Sequence, residues 1–219
     1  RYSHENKLKD FADGKYDILL GTQMVAKGLD FENVTLVGVI NADQQLNNDD
    51  FRSQERTFDL LTQVVGRAGR GQYKGTAIIQ TCNPENDVIQ IAARQDYDAF
   101  FEDELKTRKM LIYPPYCDIC LIGFIGENEP KVRVASQKYT DRLKENLSGE
   151  YKDLKIIALG PMTARVSKIS NKFRYRLILK CKNTKRFRAL MNELLKYTGT
   201  DRAYNDVSVY IDINPENII

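Results

Sequence analysis

No apolar run in this 219-residue chain approaches the roughly 20 residues that a membrane-crossing helix needs, and no secretory signal pattern opens it. A soluble, cytoplasmic protein is the expectation. Cysteine is scarce: Cys82, Cys117, Cys120 and Cys181 are too few and too scattered for a disulfide framework, which implies a reducing compartment. Cys117 and Cys120 make a lone CxxC with no second pair at matching spacing, and His4 is the only histidine, so no metal site is assigned. These cysteines flank the strand-like run 119–124 and are read as packing groups. There is no G-x-x-x-x-G-K-[ST] loop, and Glu102-Asp103-Glu104 sits in a charged helical run with no buried strand before it. The chain alone is therefore expected not to hydrolyse ATP. It begins at Arg1 without an initiator Met, which reads as a fragment, and it has no internal repeat or low-complexity segment.

With 42% hydrophobic residues, the chain can bury one large core or two small ones. Its net charge of +3 is unevenly divided. Residues 1–112 hold 14 Lys and Arg against 18 Asp and Glu, net −4, whereas residues 113–219 hold 19 against 12, net +7. The basic character belongs to the second half.

The hydrophobic spacing predicts a helix over 4–13 stopped at Gly14, then strands near 17–20, 34–40 and 76–81 alternating with helical segments, of which 54–65 is the clearest. That is the pattern of a parallel sheet in an α/β lobe, 1–84. A mostly helical connector, 85–116, ends at Pro114-Pro115. From Cys117 the order becomes strand (to about 125), helix (131–147), strand (155–159), strand (173–182), helix (184–197), strand (207–213). This βαββαβ order predicts a split βαβ domain over 117–219, with helices on one face of an antiparallel sheet. On the last strand Val207, Val209, Ile211 and Ile213 alternate with Ser208, Tyr210 and Asp212, so one face is buried and one open.

Two stretches carry candidate chemistry in the first half. The run Gln63-Val64-Val65-Gly66-Arg67-Ala68-Gly69-Arg70 follows an amphipathic segment (Phe58, Leu60, Leu61, Val64, Val65) and sets two arginines three residues apart. A guanidinium is permanently charged and forked, suited to the charge that spreads over a γ-phosphoryl group during transfer. Taken alone, the same run reads more readily as a helix end with a glycine cap and arginines complementing the dipole. Upstream stands Gly21-Thr22-Gln23-Met24-Val25-Ala26-Lys27-Gly28-Leu29-Asp30-Phe31, after the apolar run 17–20. A buried strand ending in a Gly-Thr turn would bring backbone N–H groups and a hydroxyl to a phosphate, and Gly28 would allow close approach.

The second half carries a different signal. Between Arg165 and Arg188 there are ten Lys and Arg residues and no Asp or Glu. Arg174, Arg176, Lys180 and Lys182 share one strand parity, and Tyr175, Leu177, Leu179 and Cys181 the other. The face away from the core is expected to be a cationic stripe, extended by Arg165, Lys168, Lys172, Lys185, Arg186 and Arg188, with Thr184 capping the next helix. A solvated surface normally intersperses acids. Their absence points to a polyanion, with Phe173, Tyr175 or Phe187 able to stack on bases if exposed, Tyr175 being the poorest placed.

Taken together, the Gly-Thr-Gln loop, the Asn41-Ala42-Asp43 turn and the arginine element resemble motifs V and VI of superfamily 2 nucleic-acid translocases. The run from Gly21 to Arg70, with Tyr113-Pro114-Pro115-Tyr116, Gly160-Pro161 and the terminal Val209-x-Ile211-Asp212-Ile213-Asn214-Pro215, is similar to one family among them. That family is the bacterial replication-restart helicase PriA, or primosomal protein N′. The resemblance implies the C-terminal part of an ATP-dependent 3′→5′ DNA helicase: part of the second RecA-like lobe, then a C-terminal domain that contacts DNA and helps recognise branched forks. It implies that Gln63, Arg67 and Arg70 are catalytic, with Arg70 in the arginine-finger position. Gly28 and Asp30 would lie near the nucleotide, and Thr22, Gln23 and Lys27 would contact DNA.

The resemblance further implies ATP and Mg²⁺ for the full-length enzyme. It also implies Zn²⁺ held by cysteines upstream of Arg1, and a cytoplasmic, nucleoid-associated setting. The implied partners are DNA, single-stranded-DNA-binding protein and the primosome components that load the replicative helicase. One departure is Asn214, where the pattern leads one to expect a second aspartate. The alternatives are a non-motor DNA-binding or scaffolding module and another superfamily 2 enzyme acting on RNA or other junctions.

Overall fold

The computed structural model describes residues 2–22, 31, 34–66, 68 and 74–218, and the chain divides into two compact units, Arg1–Glu104 and Leu105–Ile219. The stretch read as a connector, 85–116, is shared between the two.

In the first unit, helix α1 (Tyr2–Ala12) stops where expected: Gly14 adopts φ 76°, and its N–H and that of Lys15 cap the carbonyls of Phe11 and Asp10. Strands β1 (Leu36–Val39) and β2 (Thr76–Ile79) pair in parallel, Leu36 with Thr76 through Val39 with Ile79. Between them lie the short helix α2 (Asp43–Leu46) and helix α3 (Ser53–Val65); α4 (Asp87–Arg94) and the start of α5 (Tyr97–Leu111) follow. Asn86 caps α4, its side-chain oxygen accepting from the Val88 and Ile89 N–H groups. Phe58, Leu61, Val88, Ile89, Ala92 and Phe100 form this unit's core, with Phe58 and Phe100 stacked at 4.2 Å between centroids.

The expected strand at 17–20 is absent. Ile18 and Leu20 are 84% and 83% exposed, and among the described residues the parallel sheet has only β1 and β2. An apolar run becomes a strand only when a neighbour accepts its backbone hydrogen bonds, and neither β1 nor β2 does so here.

The second unit is the expected split βαβ domain. Strands β3 (Asp118–Gly126), β4 (Ile157–Ile169), β5 (Lys172–Cys181) and β6 (Val207–Ile213) form an antiparallel sheet in the order β4-β5-β3-β6. Helices α6 (Glu129–Ser148) and α7 (Lys185–Thr198) pack on one face. Asn128 and Thr184 cap them through Lys131 N and Phe187 N, at 3.1 Å each. The core joins Ile122 and Phe124 of β3, Leu177 and Leu179 of β5, Tyr139 and Leu143 of α6, and Phe187 and Leu190 of α7.

Strand β4 is much longer than the expected 155–159. It runs through the cis Gly160-Pro161 bond and turns back at Ser170-Asn171, both with positive φ (48° and 62°). Two residues of that conformation are what a tight hairpin turn requires. The stretch read as a basic turn is therefore a hairpin arm, with register shifts at Leu159/Met162 and Thr163/Lys168.

A candidate nucleic-acid interface

The parity expected for β5 is observed. Leu177, Leu179 and Cys181 enter the core, while Arg174 and Arg176 lie on the opposite face, paired across β3 with Ile125 and Gly123. That face is not an uninterrupted cationic stripe. Ile178 and Lys180 are buried on it, 5% and 9% exposed, as are Ile119 and Leu121 of β3.

Lys180 corrects the expectation directly. Its ammonium donates to the Leu111 carbonyl at 2.6 Å and sits 3.7 Å from the centre of the Tyr113 ring, so the segment before β3 folds over it. Burial pushes its pKa down. A lysine held this way ties residues 111–113 to the sheet and is withdrawn from any external polyanion. Arg186 is likewise engaged, donating to Asp153 Oδ1 at 2.8 Å with its guanidinium over the Tyr151 ring. Arg165 and Lys168 on β4 and Lys172 past the hairpin turn are exposed, as are Lys182, Lys185, Arg188 and the ion-paired Arg186 beyond β5; Arg174 and Arg176 are half-buried.

The aromatic expectations divide. Phe187 is completely buried, so stacking there is excluded. Phe173 is half-buried beneath the Lys168 ammonium, 4.6 Å from its ring centre, and Tyr175 packs against the core and donates to Glu129 at 3.3 Å. The aromatic group presented on the outer face is instead Tyr210 of β6, opposite Gly123 of β3, and 39% exposed. Its position was legible from the alternation of β6.

Cys117 and Cys120 pack, as read, whereas Cys82 is exposed. Cys120 is wholly buried against the Met191 sulfur at 4.0 Å, and burial pushes its thiol up to about 12. Cys117 donates instead to the Ile112 carbonyl at 3.2 Å. Among the described residues no group of three or more His, Cys, Asp and Glu side chains is placed to hold a metal ion.

In the first unit, α3 carries Gln63 on its exposed side, and Gln95, in the left-handed conformation at the end of α4, donates to Thr62 O at 3.3 Å. Gly66 lies directly against Gln95: a Cβ built there would come 3.2 Å from Nε2. The exit of α3 toward the arginine element is thus braced from α4. Asp43 accepts from Thr81 Oγ1 and Cys82 N at 2.7 and 2.8 Å, and those bonds hold its carboxyl below the usual range while tying the 41–43 turn to the end of β2. Thr22 is exposed in irregular chain; Gln23, Lys27, Gly28, Asp30, Arg67 and Arg70 lie outside the described residues.

Comparison with known families accounts for both halves. Residues 3–72 match the helicase conserved C-terminal domain, and residues 109–216 match the primosomal protein N C-terminal domain. The replication restart protein PriA of Bacillus subtilis is 42% identical over 97% of this chain and 26% of its own length. Its counterparts in Synechocystis and Borreliella burgdorferi are 43% and 38% identical over 81% and 98% of the chain, and 21% and 31% of their own lengths. The chain thus spans well under half the length of these relatives. The de novo designed protein Foldit4 gives a TM-score of 0.32 at 13% identity over 45% of this chain and 97% of that one, too low to indicate a shared fold. With residues 3–72 and 109–216 matched by those two domains and a PriA relative 42% identical over 97% of it, the chain belongs to the PriA family of replication restart proteins.

Proposed function

We propose that this chain acts as the C-terminal portion of an ATP-dependent 3′→5′ DNA helicase that engages branched replication forks and begins primosome assembly. The observation that carries this reading is the joining of a helicase C-terminal domain to a sheet whose outer face offers Arg174 and Arg176, in a stretch without a single acid.

In this reading the α3 exit, braced by Gln95, delivers Gln63, Arg67 and Arg70 to the phosphates of an ATP bound against a partner lobe. Gly28 and Asp30 lie beside that nucleotide. Thr22, Gln23 and Lys27 grip one strand, while Lys172, Arg174, Arg176 and Lys182 neutralise phosphates of the fork. Mg²⁺ would neutralise charge developing on the transferred phosphoryl group. The chain alone lacks half of the nucleotide site and does not turn over ATP. Single-stranded-DNA-binding protein and helicase-loading proteins are the proposed protein partners.

The test is Arg70→Ala in the full-length protein. DNA-stimulated ATPase falls by on the order of 10³-fold with DNA affinity nearly intact, and Arg70→Lys does not restore it because a point charge lacks the fork. Retained ATPase with lost DNA binding overturns the assignment.

A further inference from the structure

The outer face of the second unit contains an arrangement that charge alone does not explain. Tyr210 projects from edge strand β6 across Gly123 of central strand β3, which on its other side is paired with Arg176 of β5. A Cβ built on Gly123 would sit 2.1 Å from Tyr210 Cε1, 2.2 Å from Cζ and 2.5 Å from the hydroxyl oxygen. The phenolic end of the ring therefore lies down on the strand backbone, a position only glycine permits. The ring is 39% exposed even so.

Beside it is a shallow depression floored by Leu121, Ile125 and Ala164 and walled by Arg174, Arg176 and Tyr210. Arg176 Nη1 donates to the Ile218 carbonyl, but its Nε–H is buried with no acceptor among the described residues. Asp212 lies on the same face of β6, opposite Leu121 and farther along the sheet from Arg174.

We propose that Tyr210 is a stacking platform for one unpaired nucleobase, with Arg174 and Arg176 holding the phosphates beside it. An apolar floor, a half-exposed ring and two guanidinium groups together match the chemistry of a single nucleic-acid strand. A base inside a duplex has both faces covered by its neighbours, so a ring lying on a sheet can take only a base released from the stack. The assignment rests on the DNA-binding reading above and narrows it to single-stranded segments.

The experiment is fluorescence anisotropy on the 219-residue chain with a labelled oligothymidylate and an abasic strand of equal length and charge. The chain binds the base-bearing strand about tenfold more tightly. Tyr210→Leu removes that preference while leaving the salt dependence of binding unchanged, and Tyr210→Phe keeps it. Gly123→Ala removes it too, although the tyrosine remains, because the new methyl group displaces the ring. Equal binding of the two strands by the unaltered chain overturns the platform but leaves the DNA reading standing, as does a preference that survives in Tyr210→Leu. Binding to neither strand overturns both.

Discussion

Asn214 donates from Nδ2 to Asp118 Oδ1 at 3.0 Å while its Oδ1 accepts from the Ile119 N–H at 3.0 Å, so one carboxamide closes the junction of β3 and β6. The residue has φ 56°, in the left-handed region that asparagine tolerates. This accounts for the departure from the expected aspartate. A carboxylate could still accept from Ile119, but its second oxygen would confront Asp118.

Asn214→Asp tests that account through pH. The Asn183 N–H and then the Asn214 amide hold the Asp118 carboxyl below the usual range, so their contribution is present above the ordinary aspartate pKa and is lost as pH falls through the lowered value. The variant should be less stable than the parent by about 1–3 kcal/mol near pH 7. The gap should narrow toward about pH 4, where one of the facing carboxyls takes up a proton. Urea melts at several pH values measure it, and equal stability near neutrality would show that the pair does not discriminate.

Lys180 should behave as a folding residue. Its lowered pKa means that the unfolded chain binds the proton more tightly, so this group makes stability rise with pH between the lowered value and the ordinary lysine value of about 10.4. Lys180→Met keeps the aliphatic bulk and removes that rise. Cys120 has the opposite slope, its raised thiol losing stability as pH climbs, so the informative quantity is the difference between the variant and the parent across the alkaline range. DNA affinity and its salt slope should stay unchanged in Lys180→Met; a reduced slope would return Lys180 to the phosphate-binding set.

How much of this was legible depended on whether the deciding contacts were local. The periods of β3, β5, β6, α6 and α7 are written in consecutive residues, and Thr184 and Gly14 act where their local chemistry places them. The burial of Lys180 was not legible, because the covering Leu111 and Tyr113 lie about seventy residues away in the chain and no local pattern reports a returning segment. Residues 17–20 failed for the complementary reason: their apolar run is strand-like, but among the described residues no neighbour completes it. Tyr210 lay on the correct face by parity, yet its close approach required the unrelated Gly123.

The bond from Gln95 Nε2 to Thr62 O predicts a positioning effect in the first unit. Gln95→Ala should lower DNA-stimulated ATPase of the full-length protein severalfold through kcat, with little change in KM for ATP, because it loosens the α3 exit without touching the nucleotide. Gln95→Glu loses the N–H donor while keeping similar bulk and should fail in the same way. An unchanged kcat in both variants would confine Gln95 to capping.

Parity on β5 separates binding from folding within four adjacent residues. Arg174 and Arg176 are half-buried on the outer face, whereas Leu177 is completely buried in the core that includes residues of α6 and α7. The double change Arg174→Ala and Arg176→Ala should weaken DNA binding and reduce its salt slope by roughly one to two counterions. Loss of the Arg176 bond to Ile218 O should add only a modest destabilisation, on the order of 1 kcal/mol. Leu177→Ala should remove about 2–5 kcal/mol, because the cavity it leaves is walled by strands and helices that cannot close over it. Anisotropy across a salt series, paired with denaturant melts, separates the two. A double variant that binds with unchanged slope makes the outer face a solvated surface, and a double variant that unfolds while Leu177→Ala does not would mean that the strand faces the other way.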